Sequence, residues 1–176
     1  DKGEKTTNTG ELVVKKPFPS MPVKFWDDKE DKKYHKAYFS KFKNIWHHGD
    51  FVEQTSNNGF VIKGRSDTTL NPGGVRIGTA EIYQQVENIE FVTEGLVVGQ
   101  NYNDDVRVIL FVTTKDDIEL NQENIELIKN KIRKNCSPKH VPAFIIKAPD
   151  IPRTKSGKIV ELAVRKLING EELNNE

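Results

Sequence analysis

GRSDTTLNPGGVRIGTAEIY, residues 64–83, marks the place where the pattern of the chain changes. Before it, apolar and polar residues alternate with the period of half-buried strands; after it, apolar residues recur at helical spacing between short β-rich runs. Within the stretch, Gly73-Gly74 permits positive φ or close backbone approach, and a plain hairpin turn accounts for the pair equally well. Thr79 is placed to N-cap a helix carrying Ile82 and Val86 on one side. The change of pattern predicts a boundary at residues 65–68, with a β-rich piece over 1–66 and an α+β domain over 67–176.

On the C-terminal side the expected order is helix, strand, strand, helix, strand, helix. Residues 95–98 and 106–112 are two β-rich apolar runs separated by the turn-like NYNDD, residues 101–105. Ile125, Ile128 and Ile132 repeat at i, i+3 and i+7, an amphipathic helix that must stop before Pro138. Residues 141–146 read as another strand with Pro142 at its start, and Val160, Val164, Leu167 and Ile168 mark one face of a closing helix that ends near Gly170. A small domain with a short mixed sheet covered by about three helices follows.

On the N-terminal side residues 1–10 are polar and expected to be flexible, because they bury too little to offset their ordering entropy. Leu12 to Val14 reads as a short strand, and KPFPSMP, residues 16–22, carries three prolines in seven residues and forbids helix or central strand. Tyr34, Tyr38 and Phe42, spaced by four, predict a helix over 31–42. Residues 50–64 alternate on both sides of Ser56-Asn57-Asn58-Gly59 and read as a hairpin.

Composition limits the function classes. The net charge is +1, with 27 basic and 26 acidic side chains interleaved, so there is no basic field of the kind that nucleic-acid binders use. No apolar run approaches the roughly 18 to 20 residues that span a bilayer, and the start resembles no signal peptide, so the expectation is cytoplasmic residence with no membrane or nucleic-acid partner. The single cysteine, Cys136, excludes an internal disulfide. His35, His47, His48 and His140 fit none of the usual ligand spacings, so a dedicated metal site is not expected.

Three segments could carry chemistry. In PRTKSGK, residues 152–158, a lysine behind a Ser-Gly turn and ahead of a helix could reach an anionic ligand; taken alone, Lys158 reads as an exposed surface lysine. A P-loop is excluded by Pro152 and Ile159 at the positions where glycine and a hydroxyl residue are required. The Gly73-Gly74 segment lacks the dinucleotide fingerprint. In WHHGDF, residues 46–51, Asp50 could accept hydrogen bonds from a sugar diol or close a turn beside Gly49.

In this order the segments resemble the end of the adenylate-forming acyl-CoA synthetases. That pattern is a Gly-Asp pair (Gly49-Asp50), Gly-Arg-x-Asp (Gly64 to Asp67), a glycine loop (Gly73-Gly74) leading into Ala80-Glu81-Ile82, and Pro-x-Thr-x-Ser-Gly-Lys (Pro152 to Lys158). The details KPFPSMP, YHKAYFSKF and LNPGGVRIGTAEIY are similar to the branch that activates acetoacetate. The resemblance covers about residues 10–170.

The resemblance implies an enzyme that joins a carboxylic acid to ATP as an acyl-adenylate and passes the acyl group to coenzyme A. Residues 1–66 would end a large adenylation domain and residues 67–176 would form a mobile lid. Asp50 would hold the ribose hydroxyls of ATP, Arg65 would lie near the nucleotide, and Lys158 would be catalytic, bridging the substrate carboxylate and the α-phosphate. Asp67 would be the hinge, Gly74 would line the pantetheine path, and Arg76 would meet phosphate oxygens. Mg2+ would arrive with ATP. Arg133 and Lys134 read as a solvated charged face, with the 3′-phosphate of coenzyme A as the alternative.

The phosphate loop, adenine-binding strand and acyl pocket of that family have no match here. The chain is therefore expected to be a fragment, inactive alone, whose partners are acetoacetate, ATP, coenzyme A and the missing N-terminal domain of the same polypeptide. Two other readings remain: a synthetase for acetate or propionate, and a non-catalytic module that binds a nucleotide or pantetheine.

Overall fold

The computed structural model describes residues 6, 9–116 and 118–173, which fall into two compact units, 1–62 and 63–176. In the first, strand β1 (Thr9–Val14) runs antiparallel to β2 (Trp46–Gln54), and β2 neighbours β3 (Phe60–Arg65), whose last residues cross into the second unit. The expected hairpin turn is present: the Thr55 N–H donates to the Gly59 carbonyl at 2.9 Å and Asn58 takes a positive φ of 59°. Of the stretch expected to be flexible, residues 9 and 10 belong to β1, while 1–5 and 7–8 lie outside the described residues.

Helix α1 (Lys32–Tyr38) is shorter than its spacing predicts. Glu30 and Asp31 hold left-handed φ of 61° and 54°, so the helix cannot start earlier, and at its end Phe39 leaves helical geometry with φ −123°. Asp28 serves the open amides instead, accepting from the Lys33 and Tyr34 N–H groups at 2.8 and 2.7 Å. Tyr38 stacks on buried Trp46 with ring centroids 3.7 Å apart, whereas Phe42 falls beyond the helix and meets His47 edge-on.

The second unit is a three-layer α+β arrangement. Strands β4 (Val92–Tyr102) and β5 (Asp105–Thr114) pair antiparallel, and β6 (Phe144–Lys147) joins β5 in parallel, giving the order β4-β5-β6 of a mixed sheet. The two-residue turn between β4 and β5 places Asn103 and Asp104 at φ 49° and 59°, the left-handed pair that suits the right-handed twist of a hairpin. Helices α2 (Thr79–Val86) and α3 (Gln122–Asn135) cover one face, where Ile82, Ile128 and Ile132 pack against Val97, Leu110 and Val112. Helix α4 (Glu161–Ile168) covers the other, where Val164 and Ile168 meet Leu96, Val98 and Ile109. Alternate residues of β4 and β5 therefore serve opposite cores, which is why both strands read as nearly continuous apolar runs.

Three local expectations are corrected. Gly78, not Thr79, caps α2: a Cβ at Gly78 would lie 2.0 Å from the Lys63 carbonyl oxygen, and the Glu81 carboxylate accepts from the Gly78 N–H at 3.3 Å. Thr79 is the first helical residue and is buried. The sixth strand starts at Phe144 rather than 141, because Pro138–His140 form a single 3-10 turn that delays it. Leu167 is 58% exposed and lies off the packed face of α4.

Candidate functional site

Lys158 closes a tight loop that is braced before any ligand arrives. Arg153 and Ile159 form an antiparallel bridge; between them the Thr154 N–H donates to the Lys158 carbonyl at 2.8 Å, and the Lys158 N–H donates to Thr154 Oγ1 at 3.1 Å. Gly157 turns the chain at φ 84°, and its carbonyl accepts from the Arg153 guanidinium at 2.9 Å. The same guanidinium pairs with Glu94, near the start of β4. The loop is thus fixed through its backbone while the Lys158 side chain stays exposed. Such a loop can present one cation to an anionic reactant with little further ordering.

The loop bearing Gly74 is anchored at the other end of the sheet. Pro72–Gly74 make a single 3-10 turn, with Gly73 and Gly74 at φ 57° and 75°. Asp105, the first residue of β5, takes the Gly73 N–H on both carboxylate oxygens at 2.8 and 3.0 Å, and Oδ1 also accepts from the Val106 N–H at 2.7 Å. These amides, Val106 first and then Gly73, hold the Asp105 carboxyl below its usual range. Its share of stability is therefore present above the unfolded carboxylate value and is lost as pH falls through the lowered native one. A Cβ at Gly74 would find no atom within 4 Å, and an open depression beside it is lined by Asn71 and the hairpin tip from Asn101 to Val106.

Asp105 pairs in register with Tyr102, eight residues beyond Glu94 on β4, so the anchors of the two loops are separated by roughly 27 Å at the strand rise per residue. Arg76 follows the Gly74 turn and is exposed.

Arg65 and Asp67 meet. The Arg65 Nε and terminal nitrogen donate to the two Asp67 carboxylate oxygens at 3.3 and 3.2 Å, and the Asp67 carbonyl accepts from Arg165 of α4. The Arg65 carbonyl accepts in turn from the Thr69 hydroxyl at 3.0 Å. Asp50 belongs to the first unit, on β2, where His48 Nδ1 stands 2.9 Å from its Oδ2 on the same strand face. At the end of α3, Arg133 donates to Asn130 at 2.8 Å.

Sequence reading missed two interior groupings. Tyr83 of α2 donates its hydroxyl to Glu161 of α4 at 2.6 Å and accepts from the Val97 N–H of β4 at 3.0 Å, tying all three layers together. Burial first, and then the neighbouring Glu161 carboxylate, raises the Tyr83 hydroxyl far above its ordinary value. Buried His140 lies between Ser137 Oγ at 2.8 Å and Glu81 at 3.3 Å. Burial and then Glu81 also raise the Cys136 thiol. Partners 78 and 59 residues apart leave no local spacing to find. Among the described residues no group of three or more metal-ligating side chains converges, and no helix is long and apolar enough to cross a membrane.

No family model matches the chain. An acetoacetyl-coenzyme A synthetase of Rhizobium meliloti (strain 1021) is 58% identical over 175 residues, 99% of this chain and 26% of that relative. An acetoacetyl-CoA synthetase of Xenopus tropicalis is 48% identical over 167 residues, 94% of this chain and 25% of the relative. Among solved structures, acetoacetyl-CoA synthetase from Streptomyces lividans aligns with a TM-score of 0.87 at 43% identity, covering 94% of this chain and 25% of that one. A benzoate CoA ligase from Burkholderia xenovorans LB400 aligns at 0.73 and 26% identity, covering 93% of this chain and 30% of that one. The chain spans about a quarter of the length of the curated relatives it matches. In both sequence and fold, nearly the whole chain is thus similar to about a quarter of an acetoacetyl-CoA synthetase, and its solved neighbours are adenylate-forming acyl-CoA ligases.

Proposed function

We propose that the chain forms the C-terminal part of a cytoplasmic enzyme that activates acetoacetate with ATP and transfers the acyl group to coenzyme A. In the first half-reaction a carboxylate oxygen attacks the α-phosphorus of ATP and pyrophosphate leaves. Asp50 would accept hydrogen bonds from the ribose hydroxyls, a fit for a group with two acceptor oxygens, and Arg65 would face the nucleotide. Lys158 would sit between the substrate carboxylate and the α-phosphate and neutralise the charge that builds there. ATP would bring its own Mg2+.

In the second half-reaction the coenzyme A sulfur attacks the acyl carbon, the carbon–oxygen bond to AMP breaks, AMP leaves and the thiol proton passes to solvent. Gly74 would border the pantetheine arm and Arg76 would meet phosphate oxygens. Residues 67–176 would be the mobile lid, and residues 1–66 the end of the adenylation domain. Asp67 would be its pivot: with its side chain held by Arg65 and its carbonyl by Arg165, the torsions that absorb a rotation would lie beside it rather than in α4.

The observation that carries this reading is the separation of the two loops. Both half-reactions occur at one acyl group, yet the Lys158 and Gly74 loops are anchored at opposite ends of the β4–β5 hairpin, on Glu94 of β4 and Asp105 of β5, roughly 27 Å apart. A single rigid unit can bring them to the same carbon only in turn, which supports a lid with two poses. Acetoacetate is the acid because it is the one named for the relatives at 58% and 48% identity. The test is pyrophosphate exchange into ATP. The 176-residue chain should show none, and the chain joined to the remaining three quarters of the enzyme should exchange with acetoacetate and far less with acetate or propionate. Exchange by the chain alone would overturn the division of labour, and a preference for acetate would replace the acid.

A further inference from the structure

We infer that Asp105 is a positioning residue for thioester formation: from the tip of the β4–β5 hairpin its carboxylate clamps the Gly73 N–H and so fixes the open side of Gly74 toward the pantetheine arm. This inference rests on the assignment of Gly74 to that path.

The clamp is more than one surface contact. Both Asp105 oxygens take the same amide, at 2.8 and 3.0 Å, and Oδ1 is itself held by the Val106 N–H at 2.7 Å, so the carboxylate is oriented before it meets Gly73. Lys139 stands beside the same residue: a Cβ on Gly73 would lie 2.3 Å from its Nζ. Gly73 is therefore held through its amide by a carboxylate and leaves no room for a side chain beside the Lys139 ammonium, while a Cβ at the next residue would have open space. The turn carrying Lys139 is itself secured, since its Ser137 meets His140 at 2.8 Å and His140 reaches Glu81 of α2 at 3.3 Å.

Two successive glycines at positive φ have many alternative conformations, and Pro72 constrains only the residue before them. Without an external anchor the turn would sample several shapes, and a thin substrate would meet a path of variable width. Charge-assisted hydrogen bonds from a rigid hairpin select one of them. The hairpin tip also lines the depression beside Gly74, so the element that fixes the loop provides one wall of the route.

The experiment compares Asp105→Ala, Asp105→Asn and Gly74→Leu in the intact synthetase, with adenylation followed by pyrophosphate exchange and thioester formation followed from synthetic acetoacetyl-adenylate and coenzyme A. Hydrogen exchange at the Gly73 amide is read in the 176-residue chain. Asp105→Ala should speed Gly73 exchange and lower kcat/KM for coenzyme A roughly tenfold, chiefly through KM, while adenylation changes far less. Asp105→Asn, which keeps one acceptor oxygen, should recover part of both effects. If Gly74→Leu blocks thioester formation but Asp105→Ala leaves it unchanged, the positioning role is wrong and the path stands. Equal losses in both half-reactions, or no recovery by asparagine, would reduce Asp105 to a structural brace and overturn the inference. If Gly74→Leu makes acetoacetyl-CoA at the normal rate, the path itself is misassigned and the inference falls with it.

Discussion

Lys158 contributes nothing but its charge beyond the backbone, since the loop is held by the Thr154 bonds and by Arg153. Lys158→Ala should therefore leave the fold intact. Adenylation should fall roughly a hundred- to thousandfold, the effect of about 2.7 to 4 kcal/mol at one oxyanion contact. Synthetic acetoacetyl-adenylate plus coenzyme A should still react at close to the normal rate. Equal losses in the two assays would contradict the role assigned to the ammonium group. At this scale the Gly-Arg-x-Asp run singled out both Arg65 and Asp67, yet as a nucleotide neighbour and a hinge, and their pairing with each other came only from the structure. The Asp105 clamp on Gly73 was not legible either, because 32 residues separate the partners and Asp105 reads locally as one more turn-forming acid.

At the scale of elements, amphipathic repeats located α3 and α4, and the β-rich runs located β4 and β5, because packing on both faces of the sheet leaves a strong apolar signal. Boundaries were less readable where backbone geometry decides them. Helix α1 begins late because two acidic residues lie in left-handed conformations, and α2 is capped by a glycine because the Lys63 backbone leaves no room for a Cβ. Neither cause is a property of periodicity. The Tyr83 hydroxyl joins α2, β4 and α4, and Tyr83→Phe would leave the Val97 amide and one Glu161 oxygen without that partner. The expected cost is about 1 to 3 kcal/mol. Urea unfolding should show a lower midpoint at an unchanged slope; a shift within error would mean that water satisfies both groups and that the layers are held by apolar packing alone.

At the scale of the whole molecule, the chain is two compact units, 1–62 and 63–176, where the change of pattern put a boundary at residues 65–68, and the order of the motifs carried the resemblance to acyl-CoA synthetases. The chain spans about a quarter of the length of its curated relatives, so most of what their full length holds was not there to be read. The central claim is that this quarter supplies the two loops a synthetase must use in turn. The most direct measurement replaces the matching quarter of the Streptomyces lividans acetoacetyl-CoA synthetase, to which it is 43% identical, with this chain and follows acetoacetyl-CoA formation. The graft should turn over acetoacetate, ATP and coenzyme A and should lose adenylation when it carries Lys158→Ala. A cooperatively folded graft that forms no acetoacetyl-adenylate, or one indifferent to Lys158→Ala, would contradict the account.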